Sequence, residues 1–393
     1  ANRLGLLPIN NRILLFNNIQ QQFPALDAEL PDNIGRCPIC GGRASVVVGQ
    51  PDFSIGTEII PPTRTSLRLP TAVASDGKIL AVADTANNRI LIWKSIPTVN
   101  GQSADLVLGQ PDFTTVGRLA VTASAMRGPQ GVWIQGNRLF VADTQNNRIL
   151  IWNSIPTQNN QAADVVLGQP NFTTAPFVNQ VQSNVPAAAN TLLSPTSVTS
   201  DGTRLFVADL GFNRVLIWNS IPTQNQKAAD IVLGQPNFTD SIPNNAAGGT
   251  LCASNGTDTA SGNPLYPERC AATLSFPRYA LSDGTRLFIA DGGNDRVLVY
   301  NKIPAQNGAR ADAVLGEPDE FSDLPSNATL TQSASDLTTY PTSLAWDGQN
   351  LYVPDPAFYR ILVFTPSRPD IPLAGVVNAA SKAVYAKIGR AHV

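Results

Sequence analysis

The chain has 393 residues, 43% of them hydrophobic and only 14% charged, and 27 Lys+Arg against 29 Asp+Glu leave a net charge of −2. A nucleic-acid binder needs a positive surface to neutralise phosphates, so this balance argues against that class, and equally against a polybasic membrane contact. No apolar run approaches the roughly 18 residues of a membrane span, and 29 Gly, 31 Pro and one Met suit many turns and little helix.

Position 1 is Ala rather than Met, and the four cysteines (Cys37, Cys40, Cys252, Cys270) are an even number. The first residue fits either a removed signal peptide or a fragment; the even cysteine count, with the sparse charge and abundant Asn, Gln, Ser and Thr, favours a secreted protein, extracellular or periplasmic.

Internal repetition organises the rest. The chain opens on LGLLPINNRILLFNN (4–18). A fuller version returns as ILAVADTANNRILIWKSIPT (79–98), LFVADTQNNRILIWNSIPT (139–157), LFVADLGFNRVLIWNSIPT (205–223), LFIADGGNDRVLVYNKIPA (287–305) and LYVPDPAFYRILVFTPS (351–367). The spacing between copies is uneven, which means a fixed module joined by loops of variable length.

Each module reads as four strands. A short strand follows a proline, as in PTAVAS (70–75), PTSVTS (195–200) and PRYALS (277–282). A tight turn with glycine second comes next (Asp76-Gly77, Gln135-Gly136, Asp201-Gly202, Asp283-Gly284, Asp347-Gly348), which predicts type I′ geometry with positive φ at both residues. The LFVAD phrase is the second strand, RILIW the third and ADVVLGQ the fourth. The third strands are apolar on both faces, as expected where a sheet is covered on each side.

Six such units predict an all-β protein: a six-bladed β-propeller of four-stranded antiparallel blades. The blades are expected near 1–53, 67–113, 126–172, 192–238, 274–321 and 338–380, forming one domain over 1–386. The first copy shows no first strand. The segment near 381–386 is expected to close the ring by supplying it, with 372–380 as the outer strand of the last blade. The alternative is a strand donated by another molecule, which would make the unfinished blade a polymerisation joint. Residues 387–393, KIGRAHV, resemble the translation of a sequencing adapter. They read as a non-native tail on a bacterial gene assembled from environmental DNA, which also removes His392, the single histidine, from the functional argument.

Two repeated residue sets stand out. Phe16, Trp93, Trp152, Trp218, Tyr300 and Phe364 each follow a repeated arginine by four residues. They read as one packing aromatic per inter-blade seam, against an alternative ring of ligand-binding aromatics. The pairs Asp84/Arg89, Asp143/Arg148, Asp209/Arg214, Asp291/Arg296 and Asp355/Arg360 close the hairpin between strands two and three, whereas module one has Pro8 near the Asp position. They read as structural caps, against a carboxylate ring holding a cation. Cys37-Pro-Ile-Cys40 has redox or half-zinc spacing. Two local disulfides, 37–40 and 252–270, are the preferred reading.

The phrases "P…V…DG", "LYVAD" and "NNR" with its following aromatic resemble the NHL-repeat family of propellers over about residues 4–380. The VLGQPDF ending is similar to a variant in secreted bacterial NHL-type proteins. The resemblance implies the fold, and function only weakly, because one fold hosts unrelated tasks. Relatives of this fold that use histidine-bound zinc have no counterpart here on ligand count. A calcium site from Asp and Asn stays open, with no specific set and no cofactor assigned.

No phosphate loop, nucleophile elbow or His-dependent triad is present. The expected function is therefore a non-catalytic interaction or structural module that partners itself, in a filament or tube, or other extracellular proteins and glycans. A calcium-dependent lactonase- or lyase-like enzyme is the second reading. A glycan- or peptide-binding propeller using Phe177, Tyr266 and Tyr340 is the third. The sequons at Asn171, Asn237, Asn255 and Asn327 matter only in a glycosylating host.

Overall fold

The computed structural model describes residues 10–22, 44–174, 185–246, 249–317, 319–322, 341–356, 360–364 and 384–386. In module one β1 (Ile13–Leu15) pairs with β2 (Val46–Val48). Module two holds β3 (Pro70–Ser75), β4 (Leu80–Asp84), β5 (Arg89–Trp93) and β6 (Leu106–Leu108); module three β7 (Gly131–Gln135), β8 (Arg138–Asp143), β9 (Arg148–Trp152) and β10 (Val165–Leu167). Module four holds β11 (Pro195–Ser200), β12 (Leu205–Asp209), β13 (Arg214–Trp218) and β14 (Ile231–Leu233). An inserted hairpin, β15 (Gly256–Thr257) with β16 (Pro264–Leu265), precedes module five: β17 (Pro277–Ser282), β18 (Leu287–Asp291), β19 (Arg296–Tyr300) and β20 (Ala313–Leu315). Module six holds β21 (Ala345–Trp346), β22 (Leu351–Asp355), β23 (Arg360–Phe364) and β24 (Val384–Ala386). Modules two to six are each an antiparallel meander in sequence order.

The architecture is an all-β propeller with five four-stranded blades, not the six expected. Among the described residues module one contributes only its third and fourth strands, as the two-stranded sheet β1–β2. Residues 4–8, which carry its degraded second-strand phrase, and the segment 23–43 lie outside the described residues.

The closing strand also differs from expectation. Val384–Ala386 pairs with β23, Leu362 opposite Tyr385, and so takes the outer position of the last blade instead of the inner position of the first. Its apolar, β-favouring VYA sequence suits the edge of β23. The segment 372–380, assigned that outer place from sequence, lies outside the described residues, as do 387–393.

The sheets pack face to face through their central strands. One apolar cluster joins modules one and two (Val46, Val48, Leu80, Val82, Trp93), and further clusters join two to three, three to four, four to five and five to six. Every residue of β5, β9, β13 and β19 is buried, which explains why RILIW does not alternate. The inner strands also bond across blades: Thr199 Oγ1 of β11 donates to Ala280 O of β17 (2.6 Å), and Trp133 Nε1 of β7 to Ser200 O (3.1 Å). Trp133 packs against both the three–four cluster and the five–six cluster, so these blades converge on a common axis.

The hairpins between strands one and two are not type I′. Gly77, Gly202, Gly284 and Gly348 have φ between 87° and 95°, whereas the preceding aspartates do not take positive φ. Instead Asp76 Oδ1 accepts from the Lys78 and Ile79 amides, both at 2.8 Å, and Asp201, Asp283 and Asp347 repeat the arrangement. The aspartate side chain organises the turn by hydrogen bonding, so its own backbone keeps ordinary φ.

Candidate functional site

At one end of the blades, here the upper face, lie the turns between strands two and three and the long connections from each fourth strand to the next first strand. The repeated Asp/Arg pair sits just beneath this face with both side chains fully buried. Arg Nε donates to Asp Oδ2 at 2.6 Å (Arg89–Asp84), 2.8 Å (Arg148–Asp143), 2.9 Å (Arg214–Asp209) and 2.9 Å (Arg296–Asp291). Arg148 Nη1 then donates to Phe172 O, and its Nη2 to Thr122 O and Ala125 O. Arg89, Arg214 and Arg296 make the same three contacts, with Phe113, Phe238 and Glu320 in the Phe172 place.

One guanidinium therefore ties together the loop entering its blade and the loop leaving it. Asp Oδ1 accepts a backbone amide from the entering loop, that of Arg68, Arg127, Leu193 or Ser275. Burial pushes the Asp209 carboxyl up to about 6 against the pull of Arg214. These four carboxylates are thus spent on arginine and backbone donors inside the blades. Asp355 lies opposite Arg360 in the ladder. In module one Arg12 Nη1 donates to Phe53 O, so the loop contact persists without the aspartate.

A second repeated device joins neighbouring modules. In modules one to five the residue before the arginine is left-handed: Asn11, Asn88, Asn147, Asn213 and, in module five, Asp295. Each asparagine Oδ1 accepts the amide just before the next module's first strand: Leu69 (3.0 Å), Gly128 (2.8 Å), Ser194 (2.7 Å) and Phe276 (3.0 Å). The glutamine of the VLGQ phrase holds the asparagine from behind; Gln50, Gln110, Gln169 and Gln235 each donate Nε2 to its carbonyl. At the opposite end, Asn100, Asn159, Asn225 and Asn307 reach back to accept the amides of Val47, Val107, Val166 and Val232 on the preceding module's outer strand. These clips cover strand edges that would otherwise invite pairing.

The repeated aromatics fall one per seam. Trp93 is in the one–two core, Trp152 in two–three, Trp218 in three–four, Tyr300 in four–five and Phe364 in five–six. The indole donors of Trp93, Trp152 and Trp218 reach the carbonyls of Gln102, Gln161 and Lys227. Phe16 is partly buried beside β1. Cys252 and Cys270 form a disulfide, both 1% exposed. Cys37 and Cys40 lie outside the described residues, as do Phe177, Tyr340 and Asn327. Asn171 and Asn237 organise turns, each Oδ1 accepting two following amides.

Among the described residues no group of three or more His, Cys, Asp or Glu is placed to hold a metal ion, and no helix is long and apolar enough to cross a membrane. The inner strands present Thr71, Val73 and Ser75 from β3 and half-buried Trp133, Tyr279 and Trp346 from β7, β17 and β21. Desolvation pushes the Tyr279 phenol well above its ordinary range.

Apart from Tyr266, which the sequence marked as a loop aromatic and which is 37% exposed, sequence reasoning missed the distribution of exposed apolar side chains. Among the described residues, Ile60, Leu69, Leu119, Ile242, Leu265, Tyr266, Phe276 and Phe321 all lie on the upper connections. Of the other large exposed apolar residues, Val73 is on an inner strand and Val99 at the lower end. Leu69 (φ 50°) and Phe276 (φ 46°) hold left-handed backbone conformations that bulky residues rarely adopt, with side chains 39% and 46% exposed. Their amides are the ones received by Asn11 and Asn213, so the latch holds each apolar side chain outward. A signal was available in sequence: both residues precede the proline that opens a first strand.

These sheets and seams define a β-propeller. No family model matches the chain. It is similar to the NHL repeat-containing protein 2 of Gallus gallus, 33% identical over 102 residues, and the NHL-repeat reading fits. The match takes in 25% of this chain and 13% of that relative. Among solved structures, the chain resembles one titled a nidogen/laminin complex (TM-score 0.38, 13% identity, 86% and 85% of the two chains). It also resembles the hydrazine synthase of Kuenenia stuttgartiensis (TM-score 0.39, 14% identity, 79% of each chain). A structure of RRP9 WD40 repeats is similar at TM-score 0.33 and 10% identity, over 75% of this chain and 61% of that one. At these scores and identities the structural likenesses carry no argument about function.

Proposed function

We propose that the protein is a non-catalytic interaction module that binds partners through its upper face. One observation carries this reading: the large exposed apolar side chains of the described residues gather on the connections at that end, and two are held in strained backbone conformations. Loops on a rigid scaffold are where recognition residues concentrate. The shared Asp/Arg clamps, amide latches and seam cores supply the rigidity.

The finer reading is that the partner is a second copy of this chain, outside the cell. Charged residues are only 14% of the sequence and the net charge is −2, so repulsion between copies is weak. The buried disulfide suits an oxidising compartment. Sedimentation velocity over a concentration series tests the association. The wild type is expected to form larger species as concentration rises, and the variant Ile242→Asp/Leu265→Asp to remain monomeric. A wild type that stays monomeric throughout overturns self-association, and equal association by the variant overturns the upper face as its seat.

A further inference from the structure

The dipeptide Asn-Gly occurs three times in the sequence, at 100–101, 255–256 and 307–308. It is a self-reactive pair, because a following residue without Cβ lets its backbone nitrogen approach the asparagine Cγ with little steric opposition. Attack forms the Gly N–Asn Cγ bond and breaks the Cγ–Nδ2 bond, so that ammonia leaves, and the glycine amide proton passes to a solvent base. Water then opens the cyclic imide at either carbonyl, giving aspartate or isoaspartate. One water is consumed and one ammonia released, with no change of oxidation state.

All three asparagines are exposed, so access to water does not separate them. Hydrogen bonding does. Asn100 and Asn307 are clips of the lower end: Oδ1 accepts the Val47 or Val232 amide at 3.0 Å, and the following glycine amide donates to the same valine's carbonyl at 2.9 Å. Both reacting groups, the carboxamide and the glycine nitrogen, are thereby tied to a buried strand of the neighbouring module. Asn255 differs at each group. Its carboxamide has no hydrogen-bond partner among the described residues. Gly256 belongs to the β15–β16 hairpin, which pairs only Gly256 with Leu265 and Thr257 with Pro264, all four exposed. A hairpin that short is marginal and opens readily, which releases the glycine nitrogen. The nearest atom to a Cβ built on Gly256 is Leu265 Cδ1 at 3.9 Å, so nothing crowds the approach.

We propose that Asn255 is a deamidation site, converted through attack by the Gly256 nitrogen, and that its conversion puts a negative charge on the upper face and weakens the association of copies. The Asn255 amide donates to Leu265 O at 3.0 Å, so the new carboxylate arises beside Leu265 and Tyr266, which are 48% and 37% exposed. The net charge of −2 gains one further negative charge per chain, and like charges then meet where two upper faces approach. The clips at Asn100 and Asn307 keep the same dipeptide intact where it holds strand edges. The effect on association rests on the upper face being the seat of self-association; the chemistry at Asn255 does not.

The experiment ages the full chain, made in a host that attaches no glycans, at mildly alkaline pH in native buffer and in denaturant. Peptide mapping by mass spectrometry then reads aspartate and isoaspartate at each Asn-Gly pair. In native buffer Asn255 is expected to convert about tenfold or more faster than Asn100 and Asn307, whose two hydrogen bonds must open first. In denaturant the three rates are expected to converge. Gly256→Val, which has room at that position and suits a strand, is expected to stop conversion at Asn255 while the chain stays folded. Equal native rates at the three positions overturn the site, as does an Asn255 that stays intact in native buffer while the denatured chain reacts. Conversion undiminished in Gly256→Val, or a product without isoaspartate, overturns the route through the Gly256 nitrogen. Sedimentation velocity compares fresh chain, aged chain and Asn255→Asp, the last two expected to associate more weakly. Equal association by all three overturns the effect on the face, and a fresh chain that stays monomeric overturns self-association alone, since the peptide map is read without it.

Discussion

Arg148 illustrates how much of this fold rests on one buried side chain. Its guanidinium neutralises Asp143 and supplies donors to three carbonyls drawn from two loops. Replacing it with methionine keeps the bulk but leaves the buried Asp143 carboxylate without its counter-charge, though still held by Arg127 N and Asn146 Nδ2, and takes the Arg148 donors from three carbonyls. Removing one partner of a buried pair costs about 3–5 kcal/mol, and Arg148→Met is expected to lose that much in denaturant unfolding. A loss below about 1 kcal/mol, the value of an exposed pair, would mean that the pocket admits water. The pairing of these residues was legible because the Asp and Arg recur at fixed spacing. The carbonyls were harder to read: Phe172 lies 24 residues after the arginine, in the repeated Gln-Pro-Asn-Phe phrase, and Thr122 lies 26 before it, but a backbone acceptor leaves no side-chain signal at either place. Module four shows how the motif tolerates change. Phe212 stands where Asn87, Asn146 and Asn294 donate to the aspartate in the other modules, and its ring lies under the Arg214 guanidinium at 4.8 Å.

At the scale of the strand, the outer edges are managed by the lower connections. Asn159 Oδ1 accepts the Val107 amide at 3.1 Å, and the neighbouring Asn160 amide donates to Val107 O at 2.8 Å, so the middle of β6 is bonded on its free side. Asn159→Ala removes the first bond while leaving the second and the chain path. The expected result is faster hydrogen exchange at the Val107 amide, unchanged exchange at Val166, which Asn225 still holds, and a stability loss of about 1 kcal/mol. Equal acceleration at Val166 would show that the clips are not local. The four strand phrases were plain in the sequence because hydrophobic runs, Asp-Gly turns and prolines mark their ends. Their clips were hidden, since an asparagine in a polar loop looks like any turn residue until the register shows which amide it meets. The Asp-Gly turns were misjudged for a related reason: the aspartate contributes its side chain, and only the glycine needs the positive φ.

Across the whole molecule, seams do the work that a single core does in smaller proteins. The third strands of modules two to five are buried along their whole length, and adjacent modules share cores, so they should unfold together. The blade count was where periodicity overreached. The module-one phrase announces a sixth blade, but a degraded copy does not specify a complete sheet, and the short VYA strand found its partner on β23. The longest upper connection sits between modules four and five, and the Cys252–Cys270 disulfide closes an 18-residue loop within it. The cross-link does more than hold a decoration. Arg296 Nη2 donates to Cys270 O and Thr273 O, so the loop anchors the module-five clamp. Cys252→Ser/Cys270→Ser is therefore expected to lower the stability of the whole protein by about 3 kcal/mol through loop entropy, measured as one cooperative denaturant transition moved to lower concentration. Both sulfurs are buried among Ala246, Leu251 and Ala272, so mild reductant acting on the native wild type should reproduce the shift only after unfolding. A variant that loses only local order around β15 and β16, with the main transition unmoved, would show the insertion to be independent of the ring.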